Sequence, residues 1–114
     1  MTRYTIKDTA EYWGWPTSIV TGKSGAWWVG ATLANNHYVT PGKAYAIKST
    51  NSGHAWGGEV LVDDVGTGYV AIFGCMVAVD ISPTVRRILC YIQRYYAGTG
   101  TYKAVFIYTD DEYR

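Results

Sequence analysis

A chain of 114 residues, 48% hydrophobic and 17% charged, can bury one core and lies far from the composition of disordered chains. Its net charge of +1 argues against a strongly basic nucleic-acid binder and against an acidic mimic. The longest apolar run, Tyr69 to Val79, is shorter than the roughly 20 residues a membrane-spanning helix needs.

At the N-terminus, Arg3 to Lys7 reads as a strand. Asp8 and Glu11 have capping-box spacing, which predicts one helical turn ended by Gly14. Arg3, Lys7, Asp8 and Glu11 leave no room for an apolar leader, so the expectation is a cytosolic protein with no membrane partner. No repeat or linker interrupts the chain, and one domain is expected over 1–114.

Strands follow. Ala26 to Leu33 is rich in Trp, Val and Thr, and Asn35-Asn36 supplies a turn. Pro41-Gly42 makes another turn before a short strand, Ala44 to Lys48. Asn51 to Gly58 is a Gly-rich loop carrying His54 and Trp56. Glu59 to Asp63 and Tyr69 to Phe73 flank a turn sequence at 64–68 and read as a hairpin. Cys75 to Ile81 reads as a further strand.

One helix is predicted, over about 83–97. Ser82 has N-cap chemistry, Pro83 suits the first helical position, and Gly98 closes the end. Val85, Ile88, Leu89, Ile92, Tyr95 and Tyr96 repeat at helical spacing, so Val85, Leu89, Ile92 and Tyr96 are expected to be buried. Arg86, Cys90 and Arg94 then line the opposite side, with Arg87 and Gln93 flanking them and Tyr91 interleaved with the arginines. A last strand, about 102–108, is apolar on both faces and is expected at the centre of the sheet. The fold class is mainly β: a small antiparallel barrel or curved sheet crossed by one amphipathic helix.

Aromatic chemistry marks the chain for recognition. Eighteen residues are aromatic, and sixteen of these are Trp or Tyr, whose polar tips want partners. So many cannot all hide in a small core, and surface Trp and Tyr favour binding. Adjacent strand residues face opposite ways, so Trp27 is expected in the core and Trp28 outside. The candidate binding residues are Trp28, His54, Trp56, Arg86, Cys90, Tyr91 and Arg94. Two guanidinium groups beside Cys90 would lower its thiol pKa, although a plain protein contact is the favoured reading. The Arg and Tyr face could hold nucleic acid by charge and stacking, but the neutral chain favours a protein partner or a second copy in a homodimer.

Enzymatic signatures are weak. Gly22-Lys23-Ser24 ends like a phosphate loop, but the required earlier Gly is Thr17 and a strand-like segment follows. His37 and His54 lack metal-ligand spacing, so no metal or cofactor is expected. Cys75 and Cys90 read as free thiols, Cys75 in a core strand and Cys90 accessible. Asp110, Asp111 and Glu112 read as a solvated terminus.

The segment YVTPGKAYAIKS, residues 38–49, with GGEVLVDDVGTGYVAIFG, residues 57–74, resembles small SH3-like barrels of phages and mobile elements. The likeness rests on Val39, Gly42, Lys43, Tyr45 and Ile47, then Val60, Val62, Asp63, Asp64, Gly66 and Tyr69. It implies a barrel and a phage or mobile-element setting, and it transfers no catalytic residue. Residues 69–108 are also similar, in element order, to the sugar-binding OB-fold B subunits of bacterial toxins. That likeness implies a ring of subunits holding carbohydrate on Trp28 or Trp56. The reading favoured here is a non-enzymatic protein that binds a macromolecular partner through an aromatic-rich surface.

Overall fold

The computed structural model describes residues 1–3, 5–6, 12–13, 18–34, 42–64 and 68–113. Among them the chain forms two sheets of antiparallel strands and no helix. The first sheet contains β1 (Tyr12–Trp13), β2 (Ile19–Thr21), β3 (Trp27–Ala34), β4 (Lys43–Ser49) and β5 (Gly57–Asp63). β1 and β2 lie along one side of β3, and β4 and β5 continue on the other. The second sheet is β6 (Tyr69–Asp80), β7 (Arg86–Tyr96) and β8 (Thr101–Thr109), in that order. The mainly β class therefore holds, but the sheets do not close into a barrel. Among the described residues their backbones are joined by one parallel bridge, where Gly42 N–H donates to the Tyr69 carbonyl and Ala71 N–H to the Gly42 carbonyl.

Segment 83–97 is the principal correction. Residues 86–96 are a strand, β7, at the centre of its sheet, paired with β6 throughout and with β8 from Ile88 onward. Ile88, Cys90 and Ile92 alternate toward the core and are fully buried, while Leu89 and Tyr91 point the other way and are half-buried. Val85 and Tyr96, expected in the core, are also only half-buried. The helical stripe was real as spacing, but a strand apolar on both faces satisfies that spacing too. Residues 86–96 carry Ile, Tyr and Cys and no Ala, which favours the pleated surface, where branched and aromatic side chains pack well. Ser82 caps a turn rather than a helix. Its Oγ accepts the N–H groups of Thr84 and Val85, and Ile81 N–H donates to the Val85 carbonyl at 3.0 Å.

Three further corrections concern strand neighbours. Residues 102–108 fall in β8, which is an edge strand and not a central one. The expected hairpin between Glu59–Asp63 and Tyr69–Phe73 is a crossover between sheets: β5 pairs with β4 and β6 with β7. The two expected strands at 69–73 and 75–81 are one long strand with a bulge at Gly74. A Cβ on Gly74 would run into the Tyr91 ring, so the bulge needs glycine there.

The core lies between the inner faces of the sheets. Trp28, Ala44 and Ala46 from the first sheet meet Ala71, Phe73, Met76, Ile88, Cys90 and Ile92 from the second. Gly30 sets the closeness of the layers, because any Cβ there would fall inside the Phe73 ring. Thr32, next on the same face, accepts the Phe73 N–H at 2.8 Å and so satisfies a buried backbone donor. Trp28 is thus in the core and 2% exposed, whereas Trp27 is half-buried, which reverses the expected order. The reason is that β3 is covered on both sides. Val29, Ala31 and Ile47 form a second small cluster with Ile6 and Trp56 on the far face, so alternation alone could not choose. Of the helical turn expected at 8–14 only Tyr12–Trp13 is described, as strand β1; the rest of it, the turns at 35–36 and 41, His37, the Trp13 and Trp15 side chains and part of the 3–7 strand lie outside the described residues.

Candidate binding surfaces

The outer face of β6–β7–β8 is built by strand register. Cys75 stands beside Tyr91 and Phe106; Val77 beside Leu89 and Tyr108; Val79 beside Arg87; Tyr95 beside Tyr102. Their rings pack on one another, Tyr91 with Phe106 at 5.8 Å and Tyr95 with Tyr102 at 4.8 Å between centroids. No described element of the chain covers this patch: Phe106 is 71% exposed, and Val77, Val79, Tyr102 and Tyr108 are about half exposed. Arg87, at one corner, lies 4.0 Å over the Tyr108 ring and is held by Asp110 through two hydrogen bonds of 2.8 and 2.9 Å. Phe106 and Tyr108 are absent from the candidates read from sequence, because a strand apolar on both faces reads as central.

The expected basic face does not form. Arg87 is on the outer side of β7, and Arg86 and Arg94 are on the inner side. Each guanidinium is paired with a carboxylate. Arg86 donates to Asp80 at 2.8 and 3.3 Å and to the Thr21 carbonyl at 3.0 Å. Arg94 reaches Asp63, which is 7% exposed, through two bonds of 2.9 Å that tie β7 to β5 across the sheets. Hydrogen bonds from the arginines hold the Asp80 and Asp110 carboxyls below their ordinary range. Both pairs are solvent-exposed and contribute little to stability. Their share is present above the unfolded carboxylate range and is lost as pH falls through the lowered folded values.

A second candidate is a cleft of about 410 Å³ between the first sheet and the C-terminal segment, lined by Ser24, Trp28, Lys48, Thr50, Glu112 and Tyr113 among others. The C-terminal segment is fixed against this sheet by its side chains. Glu112 Oε1 accepts from Ser24 Oγ at 2.7 Å and from Trp28 Nε1 at 3.0 Å, and Oε2 accepts the Ser24 N–H at 3.2 Å. Tyr113 packs edge-on against Trp28, 5.3 Å between centroids. Glu112 is therefore not part of a solvated terminus, although Asp110 and Asp111 are exposed as expected. Both Glu112 and Tyr113 have left-handed backbones, φ 56° and 63°, a conformation that costs L-residues energy and persists because Thr109 accepts the Tyr113 N–H at 2.9 Å and the tail's side chains are anchored.

His54 and Trp56 belong to a loop that folds on itself. His54 Nδ1 lies 2.7 Å from the Asn51 carbonyl, and Trp56 Nε1 donates to the Gly53 carbonyl at 3.0 Å. Trp56 is half-buried against the Val29 cluster, so its ring serves packing. With Trp28 enclosed, a sugar has no open indole face there to stack on.

The cysteines exchange their expected places. Cys90 is buried, 2.8 Å from the Tyr113 hydroxyl, while Cys75 is exposed on the outer face. Both are free thiols, and they point to opposite sides of the sheet, which rules out a bridge between them. Burial pushes the Cys90 thiol up to about 11, so the flanking arginines do not activate it. Because the folded value is raised from 9.0, this group's contribution to stability is complete below about pH 9 and is lost as pH rises toward 11. At about pH 8 an alkylating reagent should modify Cys75 and leave Cys90 untouched until the chain unfolds. Mass spectrometry of the labelled peptides checks this, and faster modification of Cys90 would contradict the strand register.

Among the described residues no three His, Cys, Asp or Glu side chains come together to hold a metal ion. Comparison with protein-family models, curated proteins and solved structures gives no match for this chain.

Proposed function

We propose that this chain is a non-enzymatic binding protein that engages a macromolecular partner, a protein, through the outer face of β6–β7–β8. The observation that carries this reading is the exposed patch of Val77, Val79, Tyr102, Phe106 and Tyr108. Contiguous apolar area of this kind mostly marks an interaction site. Its anatomy suits an interface: aromatic residues at the centre and a paired arginine at the rim. Nucleic acid is the weaker candidate, because Arg86, Arg87 and Arg94 are committed to carboxylates. The phage or mobile-element setting rests on the SH3-like resemblance of residues 38–74 alone.

Affinity capture with the wild-type chain and with Phe106→Glu as baits tests the reading. A protein retained by the first and lost from the second, and bound directly when purified, is the expected result. Partners that bind both baits equally would overturn the assignment of this face.

A further inference from the structure

Resting on that reading, we infer that the occupant of the outer face is a second copy of this chain, packed sheet against sheet across a two-fold axis. The first argument is area. Val77, Val79, Tyr102, Phe106 and Tyr108 expose roughly 500 Å² between them, given the ordinary size of such side chains. Exposed Cys75 and the half-buried Leu89, Tyr91 and Tyr95 beside them bring the face toward the roughly 800 Å² that each partner buries in a stable complex.

The second argument is charge. From Cys75 across Tyr91 to Phe106, and from Val77 across Leu89 to Tyr108, the face carries no ionisable acid or base other than the thiol and phenols. Among the described residues the only guanidinium on this face, Arg87, is already neutralised by Asp110 within the same chain. A charged foreign partner would find nothing here to pair with. An identical uncharged face needs no complementary charge, and homodimer interfaces are the most apolar class. A two-fold operator makes one patch self-complementary, so the same residues serve on both sides. Two three-stranded sheets facing each other would place each exposed aromatic row in a dry layer about 10 Å thick, the ordinary spacing of stacked sheets.

Sedimentation velocity across a dilution series, from about 0.5 to 200 μM, reads the mass directly. The expected species at the upper end is twice the 12.7 kDa chain. Phe106→Glu should weaken association by about 30-fold or more, the loss typical of a central aromatic anchor. Val77→Lys, on another strand of the same face, should act in the same direction and guards against a folding defect in the first variant. Alkylation of Cys75 should slow as the wild-type concentration rises and should lose that dependence in either variant. A strict monomer at the highest concentration overturns the inference, as does a dimer indifferent to both substitutions. A monomer that still needs Phe106 to capture a foreign protein overturns the second copy and leaves the binding face standing. Indifference of both assembly and capture to Phe106→Glu removes the two together.

Discussion

Ile92→Ala should lower the unfolding free energy by roughly 2–5 kcal/mol, the range for emptying a large aliphatic site in a packed core. Ile92 is fully buried at the middle of β7, between Phe73 of β6 and Val105 of β8 in the register. Its neighbours are held by two layers of hydrogen-bonded strands and cannot collapse into the gap. Leu89→Ala is the informative control. Leu89 lies on the other face and is only half-buried, so its truncation should cost clearly less, about 1 kcal/mol in dilute solution. A helix over 83–97 would bury Leu89 and Ile92 together and make the two losses similar. Urea unfolding with unchanged m-values measures both. Equal costs would sink the strand assignment and with it the outer face.

Breaking the inter-sheet ion pair is the second large effect. Asp63 is enclosed, and Arg94, about a quarter exposed, is its bidentate partner. Hydrogen bonding to Asp63 raises the Arg94 pKa further above its already high value, so the arginine is charged at every working pH. Arg94→Met leaves a buried carboxylate without its cation. Such losses run to about 3–5 kcal/mol in dry interiors, and the partial exposure of Arg94 suggests roughly 2–4 kcal/mol here. Removing both charges in Asp63→Leu/Arg94→Met should recover most of the loss, since an apolar pair of similar volume does not carry the desolvation cost. A double-mutant cycle reads the coupling. A double variant as unstable as the sum of the singles would mean that the pair is not coupled, and that β5 and β7 are held together by packing alone.

How much of the candidate site could be read in advance differs from residue to residue. Tyr91 is legible in the sequence as a candidate, on a helix that does not form, and the strand places it beside the exposed patch. Its strand was legible in principle, since Ile88, Cys90 and Ile92 alternate as cleanly as they repeat at helical spacing. Arg86, Arg87 and Arg94 were read as one face because helical geometry gathers them. Strand geometry separates them, and their acid partners lie 6 to 31 positions away along the chain. Nothing local in Glu112 announces that its carboxylate is spoken for by Ser24 and Trp28, 88 and 84 positions earlier.

By itself the sequence determined the local chemistry: strand-forming segments at 26–33, 44–48 and 59–63, chain-reversing residues at Ser82 and Gly98 that read as helix caps and stand in turns, two thiols, and a surplus of Trp and Tyr. These follow from propensity, turn residues and composition, which act over a few neighbours. The tertiary structure alone decided which face of each strand is inside. β3 and β7 are apolar on both sides, so their periodicity is compatible with either orientation, and only the opposing layer resolves it. Gly30 beneath Phe73 draws the sheets together and takes Trp28 into the core, leaving Trp27 near the surface. The same layering buries Cys90, exposes Cys75, and puts β8 at an edge with Phe106 facing out. Burial belongs to the pairing of distant segments, and that pairing is a property of the whole chain.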